Sequence, residues 1–234
     1  MYDYRSGELL LINKPYGWSS FQAVNKLKYG LKKHDSLLLD GKFIHLKIGH
    51  AGTLDPLATG LLIICTGKKT KEISGFQDLK KEYTGTFYLG ATTPCYDKEK
   101  EIDQRYDIDH ITDELILETA KSFIGQQEQV PPMFSAIKVN GKRVYELARD
   151  GKEIELKARP IEILEFEVTR IQLPFVDFRI TCTKGTYIRS IARDFGLALN
   201  SGAFLDALCR TKIGDYDIKN ALTPEEYLNK FEFI

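Results

Sequence analysis

The chain has 234 residues, of which 43% are hydrophobic and 28% are charged, a composition typical of a globular protein with a substantial core. Its 33 basic and 33 acidic side chains give a formal net charge of zero, so overall charge does not by itself indicate a nucleic-acid partner. No apolar stretch approaches the roughly 20 residues that span a bilayer, and the first residues lack the apolar core of a signal peptide, so we expect a cytoplasmic protein without a membrane segment.

The N-terminal residues predict a strand, a helix and a hairpin. Residues 8 to 13 are mainly apolar and indicate a buried strand, and the Pro15-Tyr16-Gly17 turn leads into a helix from about Ser20. Ser19 or Ser20 would cap this helix. Its apolar residues recur at helical spacing: Phe21, Val24, Leu27 and Leu31. An Asp40-Gly41 pair between apolar runs then predicts a hairpin over residues 37 to 46.

A loop rich in glycine places one carboxylate directly before an apolar strand over residues 61 to 65. Pro56 fixes its own φ and keeps Asp55 out of the α region. Gly49, Gly52 and Gly60 permit bends and close backbone approach. The pattern predicts a rigidly held Asp55, as a nucleophile or base requires, although an Asp-Pro turn between two strands is the ordinary alternative.

The middle of the chain mixes helices and strands. Residues 68 to 76 predict a short basic helix, residues 83 to 91 alternate as a strand, and residues 111 to 124 predict a helix that ends at Gly125. After residues 126 to 132 we expect a strand through Val139, an Asn140-Gly141 turn and a short helix over residues 144 to 149.

The C-terminal part completes an α+β pattern. Residues 161 to 173 and 175 to 183 predict adjacent antiparallel strands, and residues 187 to 199 predict a helix. A capping box at Thr223-Pro224-Glu225-Glu226 begins a last short helix. Without a regular βαβ repeat or a linker, we expect one α+β domain over residues 1 to 234, with a mixed, mainly antiparallel sheet flanked by helices.

Cysteine, histidine and charge are distributed unevenly. The four cysteines and four histidines are scattered without metal-site spacing, so we expect no metal or cofactor and interpret Cys65, Cys95, Cys182 and Cys209 as small hydrophobes. Residues 97 to 118 carry nine acids against three bases, whereas residues 179 to 193 carry four bases and no acid. A solvated face is the ordinary interpretation of such a basic run.

Several sequence blocks together resemble one enzyme family. The blocks are the segment from Gly49 to Gly60, Leu11 to Ser20, Lys80 to Tyr83, Val130 to Lys138, and Lys184 to Arg189. They resemble the motifs of the bacterial TruB-type pseudouridine synthases in kind and in order. The resemblance implies the pseudouridine synthase fold and conversion of a uridine in the tRNA T-loop to pseudouridine, without a metal or cofactor.

The resemblance also assigns roles to residues. Asp55 corresponds to the catalytic aspartate, which acts either as a covalent nucleophile or as a base at the sugar, and both roles stay open. Arg189 corresponds to the arginine that pairs with this aspartate, and Tyr83 to the active-site tyrosine. Tyr187 and Leu208 correspond to residues that close the uracil pocket, and His50 to a histidine that packs against the T-loop.

Basic residues near these motifs are expected to bind the T-arm. They are Lys68, Lys69, Lys71, Lys80 and Lys81, together with Lys138, Lys142 and Arg143 in a segment over residues 126 to 150. The resemblance implies that this segment folds over the RNA as a flap, and we expect it to be mobile in the free protein. Lys14 and Lys71 also match basic positions of the family, for which we expect backbone or structural roles.

Some features depart from the family pattern. Residues 34 to 46 resemble an insertion, Pro94-Cys95 replaces a more polar pattern, and we expect no C-terminal RNA-binding domain after Ile234. We also expect a monomer that needs no protein partner. Three alternatives are a non-catalytic RNA-binding or RNA-folding module, a guide-RNA-dependent relative, and a small-molecule hydrolase, which the absence of a P-loop and a serine elbow disfavours.

Overall fold

A computed structural model of the chain describes residues 2–39, 42–134, 138–139, 142–143 and 156–230. The chain forms two compact units. Unit 1 consists of Met1–Tyr83 and Leu208–Ile234, and unit 2 consists of Thr84–Ala207. The prediction of a single domain stays a prediction.

The elements follow one another in a mixed order of strands and helices. The first half contains β1 (Leu9–Lys14), α1 (Ser20–Gly30), β2 (Leu38–Leu39), β3 (Lys42–Phe43), β4 (Ile48–His50), β5 (Thr59–Thr66), α2 (Ile73–Asp78), β6 (Lys81–Leu89), β7 (Ala91–Thr92), β8 (Gln104–Arg105) and α3 (Asp113–Ser122). The second half contains β9 (Gly125–Gln129), β10 (Lys138–Val139), β11 (Lys142–Arg143), β12 (Arg159–Gln172), β13 (Phe175–Cys182), α4 (Ile188–Ala198), β14 (Ala203–Ile213), β15 (Tyr216–Asp217) and α5 (Pro224–Asn229). Short 3-10 helices lie at Leu31–Lys33, Asp35–Leu37, Gly67–Glu72 and Ile218–Asn220.

Strand β5 forms the centre of unit 1. It pairs antiparallel with β1 along its length and with β4 at its C-terminal end, and it pairs parallel with β14 at Thr59 and Gly60. Residues 61 to 66 of β5 are buried, as expected for a central strand with both faces covered. Helix α1 packs Ala23, Val24 and Leu27 into a core that also includes Leu10 and Ile12 of β1.

Aromatic side chains fill the core of unit 2. Strands β9, β12 and β13 pair antiparallel in a continuous series. The ring centroids of Phe87 and Phe178 are 4.2 Å apart, and those of Phe87 and Phe195 are 5.4 Å apart. Because Phe195 lies on α4, these ring contacts fix this helix against the strands.

The described elements confirm the predicted α+β class with mainly antiparallel pairing. Helix α1 begins after Ser19 with a capping box to Gln22, and α5 begins after Thr223 with the predicted box. The pairing of β2 with β3 confirms the predicted hairpin. The turn residues of this hairpin lie outside the described residues, and so do residues 144 to 149, for which a helix was predicted.

Three expectations need correction. Phe21 is 67% exposed and lies on the solvent side of α1, because helical spacing alone does not say how wide the buried stripe is. The basic segment over residues 68 to 76 begins as a 3-10 helix and becomes α-helical only at Ile73. Strand β14 was not predicted at all, although it is 11 residues long.

Candidate active site

The loop between β4 and β5 carries Asp55 at the N-terminal end of β5. Its neighbour Leu54 is tied to α1, because the Leu54 amide donates to Ser20 Oγ at 2.8 Å and Ser20 Oγ donates to the Leu54 carbonyl at 3.2 Å. The Gly17 amide donates to the Pro56 carbonyl at 2.9 Å. Backbone contacts on both sides therefore restrain Asp55, whose side chain is half-buried.

Gly52 in this loop and Gly60 at the start of β5 have the conformational role that we predicted. Gly52 and Gly60 have φ values of 91° and 108°, in the region that favours glycine. A Cβ at Gly60 would lie 2.4 Å from the Arg210 carbonyl oxygen. Gly49 differs, because it lies in β4 and a Cβ there would meet only the end of the Ile73 side chain, at 3.0 Å.

Lys14 is a fully buried cation beneath the Asp55 loop. Its ammonium group donates to the carbonyl oxygens of Pro15, Trp18 and Pro56, at 3.0, 2.5 and 3.3 Å. Burial lowers the pKa of Lys14 to about 8, an effect that the Asp55 carboxylate partly offsets and that Arg210 reinforces. Lys14 thus has the structural role that we expected, since it joins the turn after β1 to the residue that follows Asp55.

The lowered pKa of Lys14 predicts a specific pH dependence of stability. Between pH 8 and the ordinary lysine value of 10.5, the unfolded chain binds more protons than the folded chain, so folding becomes more favourable as pH rises. We expect the free energy of unfolding of the wild type, relative to Lys14→Met, to increase by about 2 to 3 kcal/mol from pH 7 to pH 10. Urea unfolding of both proteins measures this difference, and a constant difference would contradict the burial of the charge.

Arg210 is a second buried cation beside the same loop, and no sequence motif pointed to it. It lies on β14 and is 2% exposed. Its Nε donates to the Leu61 carbonyl at 2.8 Å and its Nη2 donates to the Gly52 carbonyl at 3.1 Å. Arg210 therefore fixes the start of β5 and the residue three positions before Asp55.

His50 ends β4 and faces the same buried surroundings. Burial lowers the pKa of His50, the Gly52 carbonyl partly offsets this, and the positive charge of Arg210 lowers the pKa further, so the imidazole is neutral at neutral pH. Its Nδ1 is buried and makes no hydrogen bond of good geometry to any residue that the structure describes. A buried polar atom of this kind is available to a ligand group.

Tyr83 and Leu208, two further predicted residues, lie at the borders of unit 1. Tyr83 belongs to β6 and is 8% exposed. Leu208 is half-buried on β14, and its carbonyl accepts a hydrogen bond from Thr59 Oγ1 at 3.4 Å. The parallel pairing of β14 with β5 thus places Leu208 next to the residue that begins β5.

Arg189 lies on the first turn of α4 in unit 2 and is 4% exposed. It donates to the Cys95 carbonyl at 3.2 Å and to the Phe134 carbonyl at 2.9 Å. Its Nε lies 3.6 Å from Oδ2 of Asp97, which is also buried. The predicted pair with Asp55 stays a prediction, since the two residues belong to different units.

A buried glutamine holds the backbone of Tyr187, the residue before α4. Gln129 Oε1 accepts from the Tyr187 amide at 2.8 Å, and Gln129 Nε2 donates to the Tyr187 carbonyl at 3.1 Å. The Tyr187 side chain is half-buried. Gln129 was not predicted from the sequence, because a glutamine in a polar strand gives no signal of its partner.

The basic residues predicted to bind RNA have different environments. Lys68, Lys71 and Lys80 are exposed, and Lys69 pairs with Glu72 at 3.3 Å. Lys81 is 6% exposed and its ammonium donates to the Gln77 and Leu79 carbonyls, and its role in RNA binding stays a prediction. The side chains of Lys138, Lys142 and Arg143 lie outside the described residues.

The Asp55 loop has the features of a prepared reaction site. A half-buried carboxylate is held in a loop whose backbone accepts hydrogen bonds from two buried cations. A carboxylate fixed in this way is suited to act as a nucleophile or a base, because little reorganisation is needed during reaction.

Among the described residues, the helices lack the length and apolar character needed to cross a membrane.

Comparison with known proteins places the chain among RNA-modifying enzymes. Residues 41–188 match the model of the TruB family pseudouridylate synthases, N-terminal domain. The tRNA pseudouridine synthase B of Flavobacterium johnsoniae is 62% identical over 220 residues, which cover 94% of each chain. The protein of the same name from Phocaeicola vulgatus is 51% identical over 231 residues, covering 96% of this chain and 93% of the relative.

Solved structures share this fold. A chain in the crystal structure of a Cbf5-Nop10-Gar1 complex aligns with a TM-score of 0.73 and 26% identity, covering 99% of this chain and 56% of that chain. A chain in the structure of an H/ACA RNP bound to a substrate RNA containing 2'-deoxyuridine aligns with a TM-score of 0.70 at 24% identity, covering 99% of this chain and 55% of that one. The second likeness supports the fold alone.

Proposed function

Since this chain belongs to the TruB family of pseudouridylate synthases, we propose that it isomerises uridine to pseudouridine in the T-loop of tRNA. Two relatives of nearly the same length, 62% and 51% identical, bear the name tRNA pseudouridine synthase B. Identity at this level over almost the whole chain supports the same reaction on tRNA. The T-loop as the place of reaction comes from the family resemblance.

The reaction is an isomerisation that needs no net oxidation or reduction. The bond from N1 of uracil to C1′ of the ribose breaks, the uracil turns, and a bond from C5 to C1′ forms. The proton on C5 is lost and N1 gains a proton. We propose that Asp55 begins this sequence, either by attacking the sugar as a nucleophile or by accepting a proton from it.

The observation that carries the proposal is the way in which the Asp55 loop is held. Lys14 and Arg210 donate to carbonyls on either side of Asp55, at Pro56 and Gly52, and Ser20 holds Leu54. Such restraint keeps a reacting group in productive geometry, which is worth several kcal/mol of the activation barrier. The hydrogen bonds suit a loop whose side chain must meet a ribose in one orientation.

Other residues are assigned to the reaction by resemblance. We assign Arg189 to pair with the Asp55 carboxylate, Tyr83 to lie on the uracil, and Tyr187 and Leu208 to close the uracil pocket. We assign His50 to contact the T-loop, where its buried Nδ1 offers a hydrogen bond. Extracting the target base from its stack costs a few kcal/mol, which RNA contacts elsewhere must offset.

We assign those RNA contacts to basic residues near the Asp55 loop and to the segment over residues 126 to 150. The basic residues are Lys68, Lys69, Lys71, Lys80 and Lys81. We further propose that the chain acts as one catalytic domain, as a monomer in the cytoplasm, without a protein partner.

Release of tritium from the target uridine tests the function. We expect the wild type to release tritium from C5 of the T-loop uridine of an isolated T-arm RNA, without added metal or cofactor. An RNA with tritiated uridines elsewhere and cytidine at the target position is the control and should release none. Tight RNA binding without release would instead identify the non-catalytic RNA-binding module, and release from the control RNA would refute the T-loop assignment.

A further inference from the structure

A pocket of about 260 Å³ lies in unit 1 at the opposite end of β5 from Asp55. Its basic lining residues are Arg5, His45, Lys47, Lys68 and Lys71. Apolar side chains from the segment over residues 34 to 46, which we predicted to be an insertion, complete the wall. Among the lining residues there is no aspartate or glutamate.

Backbone contacts join the three chain segments that form this pocket. The Gly67 amide donates to the Lys47 carbonyl at 2.8 Å, and the Lys68 amide donates to the Ser6 carbonyl at 3.3 Å. Gly67 has a φ of 51°, and a Cβ there would lie 2.2 Å from the Arg5 carbonyl oxygen. Only glycine permits this approach, so the backbone around the pocket is held closely at Gly67.

The positive charge of the pocket is not neutralised within the described residues. Arg5, Lys47, Lys68 and Lys71 form no ion pair within 4.0 Å there. Lys28 adds a further ammonium group 3.5 Å from His45 Nε2.

The nearby acids are engaged elsewhere. Glu72 pairs with Lys69. Asp3 accepts hydrogen bonds from the Ser6 hydroxyl and from the Ser6 and Arg5 amides, which lower the pKa of Asp3, and the charge of Arg5 adds only a smaller effect.

The size and charge of the pocket select the class of ligand. Pockets for drug-sized ligands range upward from about 300 Å³, so this one suits a phosphate with part of its sugar better than a whole nucleotide cofactor. Lysine and arginine side chains bind phosphate through charge-assisted hydrogen bonds. The RNA backbone carries such phosphate groups one after another along the strand.

From these observations we propose that this pocket binds a backbone phosphate of the tRNA at a point remote from the target uridine. The seven residue steps from Thr59 to Thr66 separate the pocket from the Asp55 end of the strand by roughly 20 Å, at ~3.3 Å per residue. A phosphate bound in the pocket therefore belongs to a nucleotide that is distant from the target uridine. The inference rests on the proposed function, because the RNA must be the substrate that also reaches Asp55.

Neutralising the pocket tests this inference. The double variant Arg5→Gln/Lys47→Gln is compared with Arg105→Gln/Lys219→Gln, which changes one exposed arginine and one exposed lysine elsewhere. We expect the pocket variant to bind whole tRNA about 10-fold more weakly, and the slope of log K against log salt to fall by about 0.7 to 0.9, the contribution of one phosphate contact. We expect the control to remain within twofold of the wild type, and kcat on a saturating short T-loop hairpin to be unchanged for both.

Each other outcome counts against the proposal. Equal weakening by the two double variants would reduce the effect to general charge. Weaker binding of the short hairpin by the pocket variant would place the contact near the target base. A titration of the wild type with inorganic phosphate, followed by the amide resonances of Gly67 to Lys71, separates the two proposals. If phosphate shifts these resonances but the wild type releases no tritium from tRNA, the proposed function is refuted and the pocket binds small anions. If the wild type releases tritium and the pocket variant binds tRNA normally, only the remote phosphate site is refuted.

Discussion

Replacing Asp55 with asparagine is expected to lower the rate of pseudouridine formation by roughly 10⁴-fold or more, the scale seen when one member of a cooperating catalytic set is removed. The amide can neither attack the ribose as an anion nor accept its proton, so both proposed roles are lost together. Folding should persist, because the Asp55 loop is held through backbone groups at Gly52, Leu54 and Pro56. The measurement is single-turnover tritium release from a T-arm RNA, with affinity for that RNA measured in parallel.

Asp215→Asn is the matched control, since Asp215 is an exposed aspartate in the same unit. It should release tritium at the rate of the wild type. Residual activity of Asp55→Asn within tenfold of the wild type would show that another group does the chemistry. The variant also bears on Lys14, because loss of the Asp55 charge removes the attraction that raises the pKa of Lys14, so this pKa should fall below about 8.

Local sequence signals predicted the parts of the fold that depend on neighbours in the chain. The cap at Ser19, one of the two predicted candidates, and the box predicted at Thr223 both formed, because each depends on residues within a single helical turn. Positive φ at Gly52 and Gly60 likewise follows from the Asp55 loop itself. Residues whose partners are distant in sequence were not predictable by these means.

Arg210 and Gln129 illustrate that limit. The acceptor of Arg210 on β5 is 149 residues away, and the backbone groups that Gln129 holds are 58 residues away. Strand β14 contains a mixture of half-buried polar and apolar residues, without a strict alternation that would reveal it. The sequence also did not predict that Lys71 is exposed and Lys81 is buried, since an exposed and a buried lysine look the same in a sequence.

Arg210→Met is expected to weaken both stability and catalysis. The methionine fills much of the space but leaves the Leu61 and Gly52 carbonyls without their donors, at about 1 to 3 kcal/mol for each unsatisfied group. Removal of the desolvated guanidinium offsets part of this cost, so we expect a net loss of about 2 to 4 kcal/mol in the free energy of unfolding. Because Gly52 is then free to shift, kcat should fall about 100-fold, the effect of a displacement of about 1 Å at a reacting group.

Urea unfolding and tritium release under conditions where the variant is folded separate these two effects. Arg105→Met, at an exposed position, is the control for loss of an arginine and should leave both unchanged. Arg210→Lys keeps the charge and one donor group, and it should recover part of the rate.

Arg210 also lowers the pKa of Lys14, so in Arg210→Met the pH range over which Lys14 affects stability should move upward from about 8. Unchanged kcat in a destabilised Arg210→Met protein would limit the role of this arginine to folding. If the pH range over which Lys14 affects stability is the same in Arg210→Met as in the wild type, the charges of the two buried cations do not interact.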